Sequence, residues 1–453
     1  MNQSEHMKEN KMGTMPVNRL LISMALPMMI SMLVQALYNI VDSMFVARLN
    51  EEALTAVSLA FPIQNLMIAL GSGIGVGINA LLSKSLGERN TKAANKAATN
   101  GIFLITICYL AFLLIGIFGV GSFFRSQTDN TVIVNYGIDY LRIICILSFG
   151  LFGQMTFERL LQSTGKTIYT MITQTTGAII NIILDPIFIF GYFGFPRMEV
   201  AGAALATVIG QIVAAIMAIC LNSRKNTEIS VKMKGFRPEK EVVGRILAVG
   251  IPSTIMVSIG SIMNFGMNKI LLGFSSTAAA VFGVYFKLQS FVFMPVFGLN
   301  NGMIPIVAYN LGAKNRERLT KAYKLSVMYA VCIMIIGLAV FQILPGQLLK
   351  IFDASDTMLS IGIPALRTIS LSFLLAGFCI ISSSLFQALG NGLLSMVVSI
   401  ARQLIVLLPV AFALSKVAGL HTVWWAFPAA EVIALTLCII YLRKLFNQVI
   451  NKM

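Results

Sequence analysis

The chain has 453 residues, of which 57% are hydrophobic and 11% charged, and its mean hydropathy is +0.83. Soluble domains run near 25% charged, so a soluble enzyme or binding module is excluded and an integral membrane protein is read instead. The net charge of +16 does not point to nucleic acid, because the basic residues are sorted by membrane side and form no single patch.

The first 18 residues are polar and carry no small-residue cleavage site, so the first apolar run reads as a retained helix and not a signal peptide. Apolar runs longer than about 18 residues then recur to the end of the chain. They predict twelve spanning helices at roughly 20–47, 54–82, 98–120, 133–160, 168–191, 200–222, 245–274, 279–308, 321–344, 360–386, 393–415 and 422–442. With that segmentation 23 Lys and Arg lie on the side shared by both termini and the even loops, against five (Arg48, Arg125, Arg197, Lys350, Lys416) on the other. This is the positive-inside bias and predicts that both termini are cytoplasmic.

The two halves repeat. Pro27 and Pro252, Gly87 and Gly312, and Gln162 and Gln387 are each 225 residues apart, and toward the end the offset slips to 220, pairing Gln211 with Glu431. Six helices per half is an even number, so the halves are parallel repeats about a pseudo-twofold along the membrane normal. The expected organisation is a cytoplasmic tail (1–18), a six-helix bundle (19–222), a basic cytoplasmic linker (223–244), a second six-helix bundle (245–442) and a cytoplasmic tail (443–453).

In the first helix Ser31, Gln35, Asn39 and Asp42 step along one stripe. A carboxylate at hydrocarbon depth is expensive and usually faces a cavity, although an acid near a helix end can also serve a neighbouring helix. The fifth helix aligns Gln174, Asn181 and Asp185, and Pro186 frees a backbone carbonyl beside them, which suits a proton or a small cation. Thr207 and Gln211 make an i, i+4 polar pair, where a hydroxyl bonded to its own i−4 carbonyl is the ordinary fate.

The second half differs. Its first helix aligns Ser261, Asn264 and Asn268 but has Met267 where Asp42 would repeat. Its buried ions are mostly basic (Lys269, Lys287, Arg367 and Arg402), and Glu431 is expected to pair with a base such as Arg402. Glu158 and Arg159 read as an interhelical ion-pair site. Gly71, Gly73, Gly75 and Gly77 lie mid-helix with no following GK[ST], so they are packing glycines and not a phosphate loop. The six cysteines (Cys108, Cys145, Cys220, Cys332, Cys379, Cys438) show no CxxC spacing and the histidines are His6 and His421 alone, so disulfide and metal chemistry are not expected. No HExxH, GxSxG or Walker A run appears, so no enzyme is read, and nothing resembles the selectivity filter of a passive channel.

The segments ALPMMISMLVQALYNIVDSMFV, SLGERN, LLQSTGK, NIILDPIFIFG, AGAALAT, YNLGAKN, FQALGNG and WWAFPAAE, in this order and partly duplicated, resemble the multidrug and toxic compound extrusion (MATE) transporters from Leu20 to Leu442. The resemblance implies an all-α membrane protein with twelve helices in two bundles around a central cavity. It implies export of organic, often cationic compounds against inward proton or sodium flow, with no cofactor beyond that ion. Carried onto this chain, it assigns cation coupling to Asp42, Asn181, Asp185 and Thr207, with sodium compatible at the first three. The acids that a NorM-like branch carries in helices seven and ten are missing, which implies the DinF-like branch.

Gln35, Tyr38, Asn39, Met256 and Asn264 are the expected substrate-cavity residues. Met28, Met32, Met155 and Met263 are further linings, though core or lipid-facing packing is the ordinary account of any single Met. The expected partners are small organic cations and the lipid bilayer of a bacterial plasma membrane, for a monomer that binds no nucleic acid. The alternative is a flippase for lipid-linked saccharides or another polyanionic headgroup, which would turn Lys269, Lys287, Arg367 and Arg402 into the cavity.

Overall fold

The computed structural model describes residues 10–453, so residues 1–9 of the expected N-terminal tail lie outside the described residues. Among the described residues ten continuous helices are long and apolar enough to span a bilayer, and two further spans are each bent at a short break. In chain order they are α1 (Val17–Ala47), α2 (Glu51–Gly87), α3 (Thr91–Gln127), α4 (Thr131–Ile146 and Phe149–Ser163), α5 (Thr167–Phe190), α6 (Glu199–Lys225), α7 (Lys240–Leu272), α8 (Ser276–Gly312), α9 (Arg316–Ile343), α10 (Asp356–Ser370 and Phe373–Ala388), α11 (Gly392–Val417) and α12 (Leu420–Lys452).

The two bends occupy equivalent places in the repeat, 43° in α4 and 48° in α10. Each has a serine that turns its hydroxyl onto the i−3 carbonyl: Ser148 onto Cys145 at 2.7 Å and Ser372 onto Ile369 at 2.6 Å. A side chain that competes for a helical carbonyl is an ordinary cause of such a kink.

Helices α1–α6 form one bundle, in which α5 packs on α1 and α6 and α4 packs on α6; α7–α12 form the other, with α9 on α10 and α12 on α10 and α11. The bundles meet along two crossed joints, α1 on α8 and α7 on α2. Glycines at the same repeat offset make both. A Cβ on Gly298 or Gly302 would run into the backbone of Met29 or Ala25, and one on Gly73 or Gly77 into the carbonyls of Gly250 or Ile246. Gly87 lies against the Tyr309 carbonyl and Gly312 against the Lys84 carbonyl, so the two bundles abut backbone to backbone at the end that carries the termini.

That end is also tied by a helical turn, Lys11–Thr14, with Met12 fully buried. Asn10 donates to the Thr164 carbonyl at 3.0 Å on one bundle. Arg318 donates to the carbonyls of Met12 and Met15 at 3.0 and 2.7 Å from the other. Between the bundles α6 continues to Lys225 and α7 begins at Lys240, so the segment without helix is shorter than the 223–244 linker expected. The last residues are helical to Gln448, with Leu445 and Ile450 buried.

Candidate cation and substrate site

A cavity of about 940 Å³ lies between the bundles, from Gln162 and Gln387 deep in the joint to Ser43 and Val57 near the opposite end. That volume is ample for a drug-sized molecule. The lining is mostly apolar and aromatic, and the polar groups on its two walls are organised differently.

On the first-bundle wall Asp42 of α1 meets Asp185 of α5, with the two carboxyl groups within hydrogen-bonding reach of each other. Asp185 is fully buried and Asn181, one turn before it, is 2% exposed. The Asn181 amide Nδ2 donates to Asp185 Oδ1 at 3.3 Å and to Thr207 Oγ1 of α6 at 3.2 Å. Both Asn181 protons are therefore spent, and its Oδ1 is left beside the acids. Asp42 Oδ1, Asp185 Oδ2 and Asn181 Oδ1 are buried and accept no hydrogen bond. Buried acceptors normally find a donor, so three orphan oxygens in one place need a proton or a cation to complete them. Two adjacent carboxylates also repel unless something positive sits between them. The set of carboxylate, carboxamide and hydroxyl oxygens is the hard donor type that alkali cations or protons take.

Next to this cluster Gln64 Nε2 donates to the Tyr140 hydroxyl at 3.0 Å, and both residues line the cavity. Deeper on the same wall Glu158 is 2% exposed and accepts from Gln154 at 3.1 Å, Thr173 at 2.7 Å and Gln174 at 2.8 Å. Arg159, the next residue, donates from Nη1 to Gln162 Oε1 and Asn301 Oδ1, both at 2.9 Å. The interhelical ion-pair site expected of Glu158 and Arg159 is thus not formed: the two adjacent positions point about 100° apart, and each side chain finds neutral partners where an opposite charge on another helix was expected.

On the second-bundle wall the buried charges cancel. Arg402 of α11 pairs with Glu431 of α12 at 3.1 Å, as the sequence suggested. Lys269, Lys287 and Arg367 do not face the cavity. Lys287 lies over the Phe352 ring at 5.9 Å, and Arg367 Nε donates to the Gln342 carbonyl at 3.3 Å on the exposed surface.

Of the residues named from sequence, Asp42, Asn181, Thr207, Gln35, Tyr38, Asn39 and Met256 line the cavity, and Asp185 is held behind Asp42 and Asn181. Asn264 does not. The cavity meets α7 through Ser253, Met256, Val257, Gly260 and Met263; Asn264 shares their helical face but follows the last of them, and the lining ends at Met263. Met28, Met32, Met155 and Met263 all border it; Met28 and Met263 are at the same time buried in the core, so the ordinary packing account holds for those two, while Met32 and Met155 are half-buried at the chamber. Thr207 serves Asn181 and makes no recorded bond to its own i−4 carbonyl. Sequence reasoning missed Gln64 and Tyr140; the signal for Gln64 was the Gln64–Asn65 amide pair inside an apolar run, while Tyr140 sits between Asp139 and Arg142 and does not stand out. It also missed Asn301, whose signal was a pair of amides at the repeat position of Val76 and Gly75.

These features define a polytopic membrane protein built of two parallel six-helix repeats around a central chamber, with unpaired acids on one wall only. The MatE family model matches residues 27–187 and again 252–413, the same duplication, and the chain belongs to the MatE family. It is 28% identical to the multidrug export protein MepA of Staphylococcus haemolyticus over 425 residues, covering 94% of this chain and 93% of that one. It is 27% identical to MepA of Staphylococcus saprophyticus, covering 93% and 92%. Among solved structures it is similar to an outward-facing multidrug resistance MATE transporter of the MOP superfamily, with TM-score 0.92, 27% identity and coverage of 99% of both chains. A Pyrococcus furiosus MOP-superfamily transporter, described as having a binding pocket of reverse polarity, matches with TM-score 0.90, 27% identity and coverage of 98% and 99%.

Proposed function

We propose that this chain is a secondary multidrug antiporter of a bacterial cell membrane, exporting organic and often cationic compounds in exchange for protons or sodium. The observation that carries the reading is the cluster of three orphan acceptor oxygens on Asp42, Asp185 and Asn181 beside the chamber. The cluster takes either the coupling ion or the attraction of an organic cation in the chamber, so filling it with the ion weakens the hold on the compound. One coupling charge moving inward across 100 mV supplies about 2.3 kcal/mol, enough to concentrate a substrate about fiftyfold. The coupling works only if the two access states differ in affinity for the ion.

The basic bias of the loops supports cytoplasmic termini, and with them a chamber that opens outward while the Gly87–Gly312 joint is shut. Concentration of the unpaired acids in the first bundle supports coupling there, as in the DinF-like branch. A flippase for polyanionic headgroups would use several inward bases, and three of the four expected ones are turned away while the fourth is already paired.

Purified protein in liposomes with independently imposed proton and sodium gradients tests the proposal. Export of a cationic dye should follow at least one gradient in the wild type and fall to the uncoupled rate in Asp42→Asn and Asp185→Asn. Export driven by neither gradient removes the antiporter reading, and normal gradient-driven export by both variants removes the site.

A further inference from the structure

We propose that Arg159 anchors the carboxylate of zwitterionic organic substrates deep in the chamber, an inference that rests on the export reading above. Only Nη1 of its guanidinium is engaged, by Gln162 and Asn301; Nε and Nη2 make no hydrogen bond to protein among the described residues. No carboxylate lies within ion-pair distance of it among the described residues, and Glu158 is held by three neutral donors. Nε and Nη2 form the edge of the planar fork that takes both oxygens of one carboxylate. A guanidinium left with two carboxamide oxygens keeps an uncompensated charge that suits one singly charged planar anion. A diphosphate headgroup carries more charge than one such fork neutralises.

The position is built for this side chain. A Cβ on Gly75 of α2 would stand 2.8 Å from Arg159 Cγ and 3.1 Å from its Nε, so the glycine seats the stem against α2 and holds the head at the chamber. At the repeat offset of 225 the second bundle has Asn300 and Ser384 in place of Gly75 and Arg159, so this feature is not a product of the duplication. Thr173, which touches Glu158, and Asp185 are twelve residues apart on α5, about 18 Å at the helical rise. The anion subsite and the acid cluster therefore lie at separate depths. A zwitterion can leave its carboxylate at Arg159 and extend its cationic end toward the acids, while the coupling ion does not compete for the carboxylate.

The test uses a matched pair of dyes, a cationic rhodamine methyl ester and the same rhodamine with a free carboxylate. Binding to the purified full-length protein is followed by fluorescence anisotropy. Arg159→Gln should weaken the acid about tenfold to a hundredfold, the usual range for a lost charge-assisted hydrogen bond, and change the ester less than twofold. Arg159→Lys, which keeps the charge but not the fork, should weaken the acid by a smaller factor and serves as the readout if the Gln variant does not fold. Asp42→Asn should leave the acid-to-ester affinity ratio unchanged. Equal effects of either Arg159 variant on both dyes, or a wild type that binds the ester and not the acid, overturn the subsite. A wild type that binds both dyes but exports neither overturns the export reading and leaves the subsite standing.

Discussion

The two walls of the chamber descend from one duplicated unit and spend their buried charge in opposite ways. In the second bundle the charges of Arg402 and Glu431 cancel in one ion pair, with side chains 24% and 11% exposed, although Glu431 Oε2 is left without a hydrogen bond. In the first bundle Asp42 and Asp185 are set against each other with orphan oxygens, and Arg159 is left with neutral partners. A paired ion has its charge compensated within the protein, whereas an unpaired one stores free energy that a ligand can release. On the proposed reading, the comparison teaches that function follows the uncompensated charge and not the mere presence of an acid in a span.

The contrast can be broken most directly by removing an acid from each wall. Glu431→Gln strands the Arg402 guanidinium and should cost about 3–5 kcal/mol of stability, while Asp185→Asn removes one of two repelling carboxylates and should cost nothing or raise the melting temperature. Thermal unfolding of the two variants in the same detergent decides this. A loss in Asp185→Asn as large as that in Glu431→Gln would mean that the first wall is paired by something else.

A smaller effect separates the glycines of α2. Gly77 faces the Ile246 backbone, which cannot move aside, and Gly71 faces the flexible end of Met155, whose sulfur would stand 2.7 Å from a new Cβ. Gly77→Ala should cost about 1–3 kcal/mol by forcing the joint apart, and Gly71→Ala should stay below about 1 kcal/mol because a methionine re-packs. Melting temperatures and dye export by the pair give the readout. Equal tolerance would mean that the joint is not as tightly closed as its backbone approaches indicate.

Much of this architecture can be read before any coordinates, and the reason is the solvent. Lipid forces long apolar helices, so the spans and the 225-residue repeat are written into hydropathy and into glycines such as Gly87 and Gly312. The acids on α1 and α5 are legible for the same reason, since an ion in a span is rare enough to stand out. The choice of partner is not legible, because it depends on the rotation of one helix against another. Asn264 and Met263 are neighbours in sequence, yet only Met263 reaches the chamber. Glu158 and Arg159 read as an interhelical ion-pair site in the chain and find only neutral partners in space. Met32 and Met256 are indistinguishable from core methionines until the two bundles are set side by side.

The smallest expected effect concerns a link that the duplication did not copy. Asn65 Nδ2 of α2 donates to Ser261 Oγ of α7 at 2.8 Å, across the joint between bundles. At the repeat offset the other joint has Ser290 on α8 and Ala36 on α1, which cannot make the bond, and Ser290 instead donates to the Phe286 carbonyl of its own helix at 2.9 Å. Asn65→Ala and Ser261→Ala should each cost about 0.5–1.5 kcal/mol, and the double variant no more than the larger single, since both remove the same bond. Ser290→Ala should be silent, because its bond is local and exposed helix neighbours replace it with water. Unfolding midpoints of the four variants complete the cycle. Strictly additive losses for Asn65 and Ser261 would show that each side chain works alone. A cost for Ser290→Ala equal to that of Ser261→Ala would show that the joints are energetically alike. The difference between the walls would then rest on the charges alone, with no contribution from an asymmetric hinge.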